Sequence, residues 1–407
     1  VSAINPVPFE PTRAAGLQRL EAFLPAAGRR YAAERNYDRG VANRANVSML
    51  SPYVSHRLVA EDEIVRAAIR RHGMSGAAKF VEEVCWRTYW KGWLELRPAV
   101  WGAYLDELDQ ERARLATDRY LSQRYRDAVI GTTGIAAFDA WARELIETGY
   151  LHNHARMWFA SIWIFTLRLP WTLGADFFYR HLIDGDAASN TLSWRWVAGL
   201  HTRGKAYAAR ADNIAKYTDG RFDVAGQLVE DVVALNGSPV PPPGRLRPAI
   251  SIAADTPVVL VLAETDLTAE QWPICGSNVR GVAALATERS YPGLADRVLT
   301  FRGDAIADGL KRASRHFGVP AVEARGDAAT IADFARSAGA ELLITAHVPV
   351  GPARTGFEAF VEGLSGSGLA VLEVRRDWDQ AFWPHAKRGF FDLKARIPEI
   401  LEQLGLL

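Results

Sequence analysis

The stretch "NGSPVPPPGRLRP" (236–248) places five prolines within thirteen residues. Proline lacks a backbone N–H and fixes φ, so this run cannot continue a helix or a central strand and reads as extended linker. What lies on either side differs in kind. Before it, "PTRAAGLQRLEAFL", "GAAKFVEEVCWRTYWKGWLEL" and "GIAAFDAWARELIETGY" carry apolar residues at helical spacing, and "DEIVRAAIRRHG" ends on a helix-stopping glycine. "LHNHARMWFASIWIFTLRL" is apolar almost all round, as a central buried helix would be. After it, "PVVLVLA", "RVLTF", "PAVEAR", "ELLITA" and "LAVLEVR" are short β-branched runs, separated by helical segments such as "DAIADGLKRASRHFG" and "AATIADFARSAG". That alternation predicts a parallel sheet covered by helices. The expected fold is multidomain: an all-helical domain over 1–222, a linker over 223–255, and a Rossmann-like α/β domain over 256–407. The aromatic, then amphipathic "FWPHAKRGFFDLKARIPEILEQL" is expected to dock as a terminal helix.

The two halves also differ in charge. Residues 1–222 hold 30 Lys+Arg against 24 Asp+Glu, and the remainder 18 against 23. The basic half carries ten of the 13 tryptophans. A nucleic-acid or flavin binder has this composition, and so does a helical core with arginine on its solvent face. Two cysteines, Cys85 and Cys275, supply neither a disulfide framework nor the four thiolates of a zinc or iron–sulfur site, so no metal is expected. No apolar run reaches membrane-spanning length and no leader pattern opens the chain, which makes a cytoplasmic, monomeric protein the expectation. The turns between strands and helices carry no G-x-G-x-x-G or Walker loop, so an ordinary dinucleotide or NTP site is not indicated.

Four segments carry the chemistry. In "LHNHARMW", Asn153, Arg156 and Met157 share one helix face. An arginine on so apolar a helix needs a partner, and "LIDGDAASNTLSWRW" offers Asp184 or Asp186. The pair is either a ligand clamp or a buried ion pair without a ligand. In "NVSMLSPYVSHRLV", Ser48 and Ser51 form an anion-binding turn or an ordinary helix cap. On "FVEEVCWRTYWKGW", Glu83, Trp86 and Arg87 share a face, where an indole can stack on a planar ligand and a carboxylate can accept its N–H groups. Trp90 and Trp93 are assigned to packing.

Taken together, "RRYAAERN", "VSMLSPY", "EEVCWRTY", "TGYLHNHARMWFAS" and "LIDGDAASNTLSWRWVAG" resemble the FAD-binding motifs of the photolyase/cryptochrome family, in the same order over most of residues 10–215. The resemblance implies FAD held by Tyr31, Ser48, Leu50, Ser51, Phe80, Arg87, Asn153, Arg156, Asp184, Asp186 and Asn190, with Asn190 nearest flavin N5. It implies electron transfer through Trp194 and Trp171, with only Tyr120 and Tyr125 available as a distal member. It further implies repair of cyclobutane pyrimidine dimers in UV-damaged DNA. Glu83, Trp86, Met157, Asn190 and Trp196 would form the catalytic set around the flipped lesion. His154, Arg203, Lys205 and Arg210 would meet the flanking phosphates. Val47 and Thr88 replace a threonine and a glutamate common in the family, and the four-cysteine cluster of one bacterial branch is absent. Histidines that serve (6-4) photoproduct repair are replaced by Asn153 and Met157. In the family the α/β domain precedes the helical one, so this chain resembles a circular permutation. An antenna chromophore is implied for the α/β domain, but no residue names it. The alternatives are a cryptochrome-like blue-light sensor without repair activity, and a single-strand nucleic-acid binder without photochemistry.

Overall fold

The computed structural model describes residues 9–248, 250, 252–285, 291–324 and 327–407. Helices fill the chain up to Ala211–Tyr217, among the described residues no regular element lies between there and residue 257, and strands alternate with helices afterwards. The chain forms two compact units that cut across this order. Among the described residues the first comprises Arg29–Met49 and Arg97–Pro242; the second comprises Phe9–Gly28, Leu50–Leu96 and Pro243–Leu407.

The first unit is helical. Ala99–Thr117, Arg119–Ile130, Ala136–Thr148, Asn153–Ser161, Trp171–His181 and Ala187–Val197 are its main helices. The apolar central segment is helix from Asn153, continues as a π-turn over Ile162–Thr166, and stops at Arg168, whose φ is 50°. Its side chains Trp158, Phe159, Ile162 and Trp163 are fully buried, the expected outcome for a helix apolar on every face.

The second unit holds a five-stranded parallel sheet of order β3-β2-β1-β4-β5. Its strands are β1 (Pro257–Ala263), β2 (Asn278–Leu285), β3 (Ala321–Glu323), β4 (Leu342–Ala346) and β5 (Ala370–Val374). Four of the five expected strand segments are strands. "RVLTF" is instead the opening of the helix Asp296–Phe317, because Val298 and Phe301 continue into Ala305, Ile306 and Gly309 on one buried helical face. The strand in its place, β2, escapes a pattern search because Gly281 interrupts it. A Cβ at Gly281 would lie 2.7 Å from the ring of Phe334 in the helix Ala328–Ser337, so the close approach of that helix requires glycine.

The segment Glu61–Glu95 is helical on both sides of Gly73, whose left-handed backbone (φ 68°, ψ 163°) separates two helices. Both halves belong to the sheet-containing unit, and the C-terminal residues pack on the second. Trp378 Nε1 donates to Thr88 Oγ1 (2.9 Å), the Tyr89 hydroxyl donates to the Arg388 carbonyl (2.9 Å), and Lys394 pairs with Glu82 (2.7 Å). The C-terminal segment is not one helix. It folds as a short turn Trp383–His385, then Phe390–Lys394, then Ile397–Gln403, broken where Pro398 cannot extend the preceding turn.

Candidate flavin and lesion site

The residues expected at the site are divided between the units. Tyr31, Ser48, Asn153, Arg156, Met157, Trp171, Asp184, Asp186, Asn190, Trp194 and Trp196 lie in the first, as do His154, Arg203, Lys205 and Arg210; Leu50, Ser51, Phe80, Glu83, Trp86 and Arg87 lie in the second.

In the first unit Arg156 finds an acidic partner in Asp184. Arg156 Nη1 and Nη2 donate to the two oxygens of Asp184 (3.1 and 2.9 Å), and Nε donates to the Leu151 carbonyl (2.8 Å). The pair is bidentate, and its carboxylate is almost fully buried. Asp186, the other sequence candidate, caps the helix Ala187–Val197 by accepting from the Ser189 amide (2.7 Å). One turn on, Asn190 Nδ2 donates to the Ala175 carbonyl (2.8 Å), which fixes its amide. Ser189 Oγ and Trp194 Nε1, on the same helix, are buried polar atoms without a hydrogen-bond partner among the described residues. Buried polar atoms are almost always satisfied, so these two call for a polar partner. A fixed amide, a carboxylate-held guanidinium and two unsatisfied polar atoms on one helix and its neighbour fit a planar, hydrogen-bonding cofactor such as FAD. Asn153 is exposed, and Tyr31, Ser48 and Met157 are half-buried. Met49, between Ser48 and Leu50, has a left-handed backbone (φ 52°), an uncommon conformation for a non-glycine residue that marks a constrained turn.

Aromatic contacts run outward from Trp194. Its ring is edge-on to Trp163 (centroids 6.1 Å apart), and Trp163 is edge-on to the half-buried Tyr125 (5.9 Å), whose oxygen accepts from Arg180 (2.9 Å). Trp163 Nε1 donates to the Pro170 carbonyl (2.8 Å). Trp171 makes other contacts: its Nε1 donates to Glu107 (2.8 Å), and its ring meets Tyr104 (5.5 Å), which meets Trp101 (5.1 Å). Burial raises the Glu107 carboxyl above its ordinary range, against the pull of the Trp171 donor. Trp163 and Glu107 were missed from sequence because an apolar helix gives no reason to single out one of its indoles, and 64 residues separate Glu107 from its partner.

Trp196 stacks on Tyr207 (5.4 Å). His154 stacks on Trp158 (4.1 Å), and its Nδ1 bonds the Asn36 carbonyl (3.0 Å). Burial holds its pKa below the ordinary histidine value. Arg203, Lys205 and Arg210 are exposed, and Arg210 lies near Asp212 and Glu230 (3.6 and 4.0 Å).

In the second unit Arg87 Nη2 donates to Ser55 Oγ (2.9 Å) and Lys79 pairs with Glu83 (3.2 Å). Leu50 and Phe80 are buried, Phe80 against Phe23 (5.5 Å), and Ser51 opens the short helix Ser51–Ser55. The Trp86 indole lies flat on Phe390, with centroids 3.7 Å apart at 14°. One of its faces is therefore taken, a contact that sequence spacing could not reveal between residues so far apart in the chain.

Residues 80–236 match the FAD binding domain of DNA photolyase. The chain is 33% identical over 203 residues to the deoxyribodipyrimidine photo-lyase of Streptomyces griseus, covering 47% of this chain and 43% of that protein. It is 37% identical over 201 residues to a deoxyribodipyrimidine photo-lyase of Thermus thermophilus, covering 48% and 44%. The solved structure of a bacterial class III photolyase from Agrobacterium tumefaciens aligns with a TM-score of 0.40 at 25% identity, covering 51% of this chain and 43% of that one. Over this region the chain is similar to the FAD-binding part of these photolyases. It spans less than half the length of these curated relatives. Among the described residues no helix is long and apolar enough to cross a membrane, and no group of histidine, cysteine or acidic side chains could hold a metal.

Proposed function

We propose that the protein is a light-driven flavoprotein that splits cyclobutane pyrimidine dimers in DNA. The observation that carries this reading is the Arg156–Asp184 clamp beside a helix presenting Asn190 and Trp194, within the region matching the photolyase FAD domain. Bound FAD, once reduced and excited, would supply the electron that opens the cyclobutane ring. The chain's own residues bind and orient. Arg156 and Asp184 hold one another in place, and Asp186 keeps the helix start ordered. Asn190 is held by Ala175 so that its carbamoyl group has a fixed direction. In the first unit Met157 and Trp196 would wall a lesion; in the second, the Glu83 carboxylate is of a kind that accepts N–H donors. Trp86 is stacked on Phe390 and also meets Tyr89 and Trp90 (5.6 and 5.3 Å). Arg203, Lys205 and Arg210 supply exposed charge for phosphates. The protein as a whole is read as a permuted photolyase, with its sheet following the helical region.

The covered face of Trp86 also favours a second reading, a blue-light sensor that binds FAD without repairing. One assay separates the two. A dimer-containing oligonucleotide is illuminated with the FAD-loaded protein and reductant, and dimers are counted against a dark control. Dimer loss in the light is expected; none, with FAD bound, leaves the sensor reading.

A further inference from the structure

We infer that the turn Lys387–Phe391 is a DNA-contacting wedge, with Phe391 stacking into the base column beside an extruded nucleotide and Lys387 and Arg388 meeting the adjoining phosphates. This rests on the proposed action on DNA, but it concerns residues outside the region matching the photolyase FAD domain.

The turn is built so that one ring anchors and the next projects. Phe390 is buried, flat against Trp86 (3.7 Å) and edge-on to Tyr89 (5.7 Å). The Arg388 carbonyl accepts from the Tyr89 hydroxyl (2.9 Å), Leu393 is fully buried, and Lys394 pairs with Glu82 (2.7 Å). These contacts hold the turn on the helix that also carries Glu83 and Trp86. Phe391, by contrast, is 77% exposed. Leaving a phenyl ring in water costs free energy that its buried neighbour avoids, and nothing in the fold requires it there. Lys387, Arg388 and Gly389 beside it are exposed as well. Over 387–394 there are three basic residues and one acidic, Asp392. Exposed aromatic and basic side chains side by side suit a strand of nucleic acid, whose bases offer a π-face and whose phosphates offer charge. A ring projecting from an anchored turn also suits filling the gap that a flipped nucleotide leaves.

The test uses the full FAD-loaded protein and fluorescence anisotropy with three probes: a dimer-containing duplex carrying 2-aminopurine beside the lesion, the undamaged duplex, and single-stranded DNA. Phe391→Ala should weaken binding to the damaged duplex and the single strand by about tenfold, and abolish the 2-aminopurine emission change. Phe391→Trp should preserve both. Lys387→Ala with Arg388→Ala should flatten the dependence of log affinity on log salt by about 2. FAD content per chain reports that each variant is folded. Unchanged affinity and emission in Phe391→Ala would overturn the wedge. So would an effect confined to oligomeric mass by light scattering, which would make Phe391 a contact between protein copies. If wild type splits no dimers yet Phe391→Ala loses single-strand affinity, the wedge stands and the repair reading falls. If wild type splits dimers and Phe391→Ala binds normally, the reverse holds.

Discussion

Trp163 stands edge-on to Trp194 at 6.1 Å, and its N–H is bonded to the Pro170 carbonyl, whereas the N–H of Trp194 has no partner among the described residues. A carbonyl dipole aimed at an indole N–H favours positive charge on that ring. On the proposed flavin chemistry, an electron vacancy on Trp194 would be drawn to Trp163, and from there to Tyr125. Trp163→Phe keeps the packing but removes the redox-active ring. It should slow light-driven bleaching of the bound flavin several-fold, measured anaerobically with a thiol reductant. Tyr125→Phe should slow it less. Unaltered bleaching in Trp163→Phe would assign the route to Trp171.

The Arg156–Asp184 pair predicts a joint loss of stability and cofactor. Asp184→Ala removes both acceptors of a guanidinium that is itself about one-quarter exposed. The cost is expected at about 2 kcal/mol, below that of a fully buried pair because water reaches the arginine. Urea denaturation should show it, together with reduced FAD per chain. Asp184→Asn, which can still accept one hydrogen bond, should lose less of both.

A buried cluster in the first unit sets a pH dependence. Asp38 accepts from Arg44 (2.5 Å) and Trp141 Nε1 (3.0 Å), and Arg44 also bonds Glu144. Burial pushes Glu144 up to about 7, helped by the Asp38 charge and opposed by Arg44. Its folded pKa exceeds the unfolded value, so between about 4.5 and 7 the native state binds the extra proton and stability from this group falls as pH rises. Glu144→Gln removes that dependence. Wild-type stability relative to Glu144→Gln should therefore decline across this window, by on the order of 3 kcal/mol in total. A flat difference between the two denaturation profiles would refute the assignment. His152, held down to about 3 chiefly by burial, works in the opposite direction in both proteins and cancels from the comparison.

Gly174 permits the close approach of its helix to the tryptophan pair. A Cβ there would lie 2.3 Å from the Trp194 ring and 2.9 Å from Trp163 Nε1. Both rings are buried and cannot yield cheaply, so Gly174→Ala should cost about 2–3 kcal/mol. Its tryptophan fluorescence should differ from wild type before any unfolding begins.

Much of this was legible because it is local or periodic. The β1 run is apolar without interruption, Gly73 reads as a break, and Arg156 on an apolar helix demands an acid. What was not legible depends on distant partners. The choice of Asp184 over Asp186 follows from where the chain returns after Trp171–His181. "RVLTF" was overruled by the longer helical face that it joins. Phe390 on Trp86 and Glu107 on Trp171 leave no trace in spacing. His154 shows the converse case: its residue type is read from the sequence, while its stacking on Trp158 and the burial that lowers its pKa are not.

The apportioning of Leu50–Leu96 to the sheet-containing unit has a consequence for how the protein can be made. A severed product ending at the proline run would carry Thr88, Tyr89 and Gly92 without Trp378, Arg388 and Trp383, which meet them in the intact chain. Its reciprocal piece would expose the other side of the same seam. The proline run looks like a place to cut, yet neither product would inherit a finished interior, so the two stretches have to be expressed as one uninterrupted polypeptide.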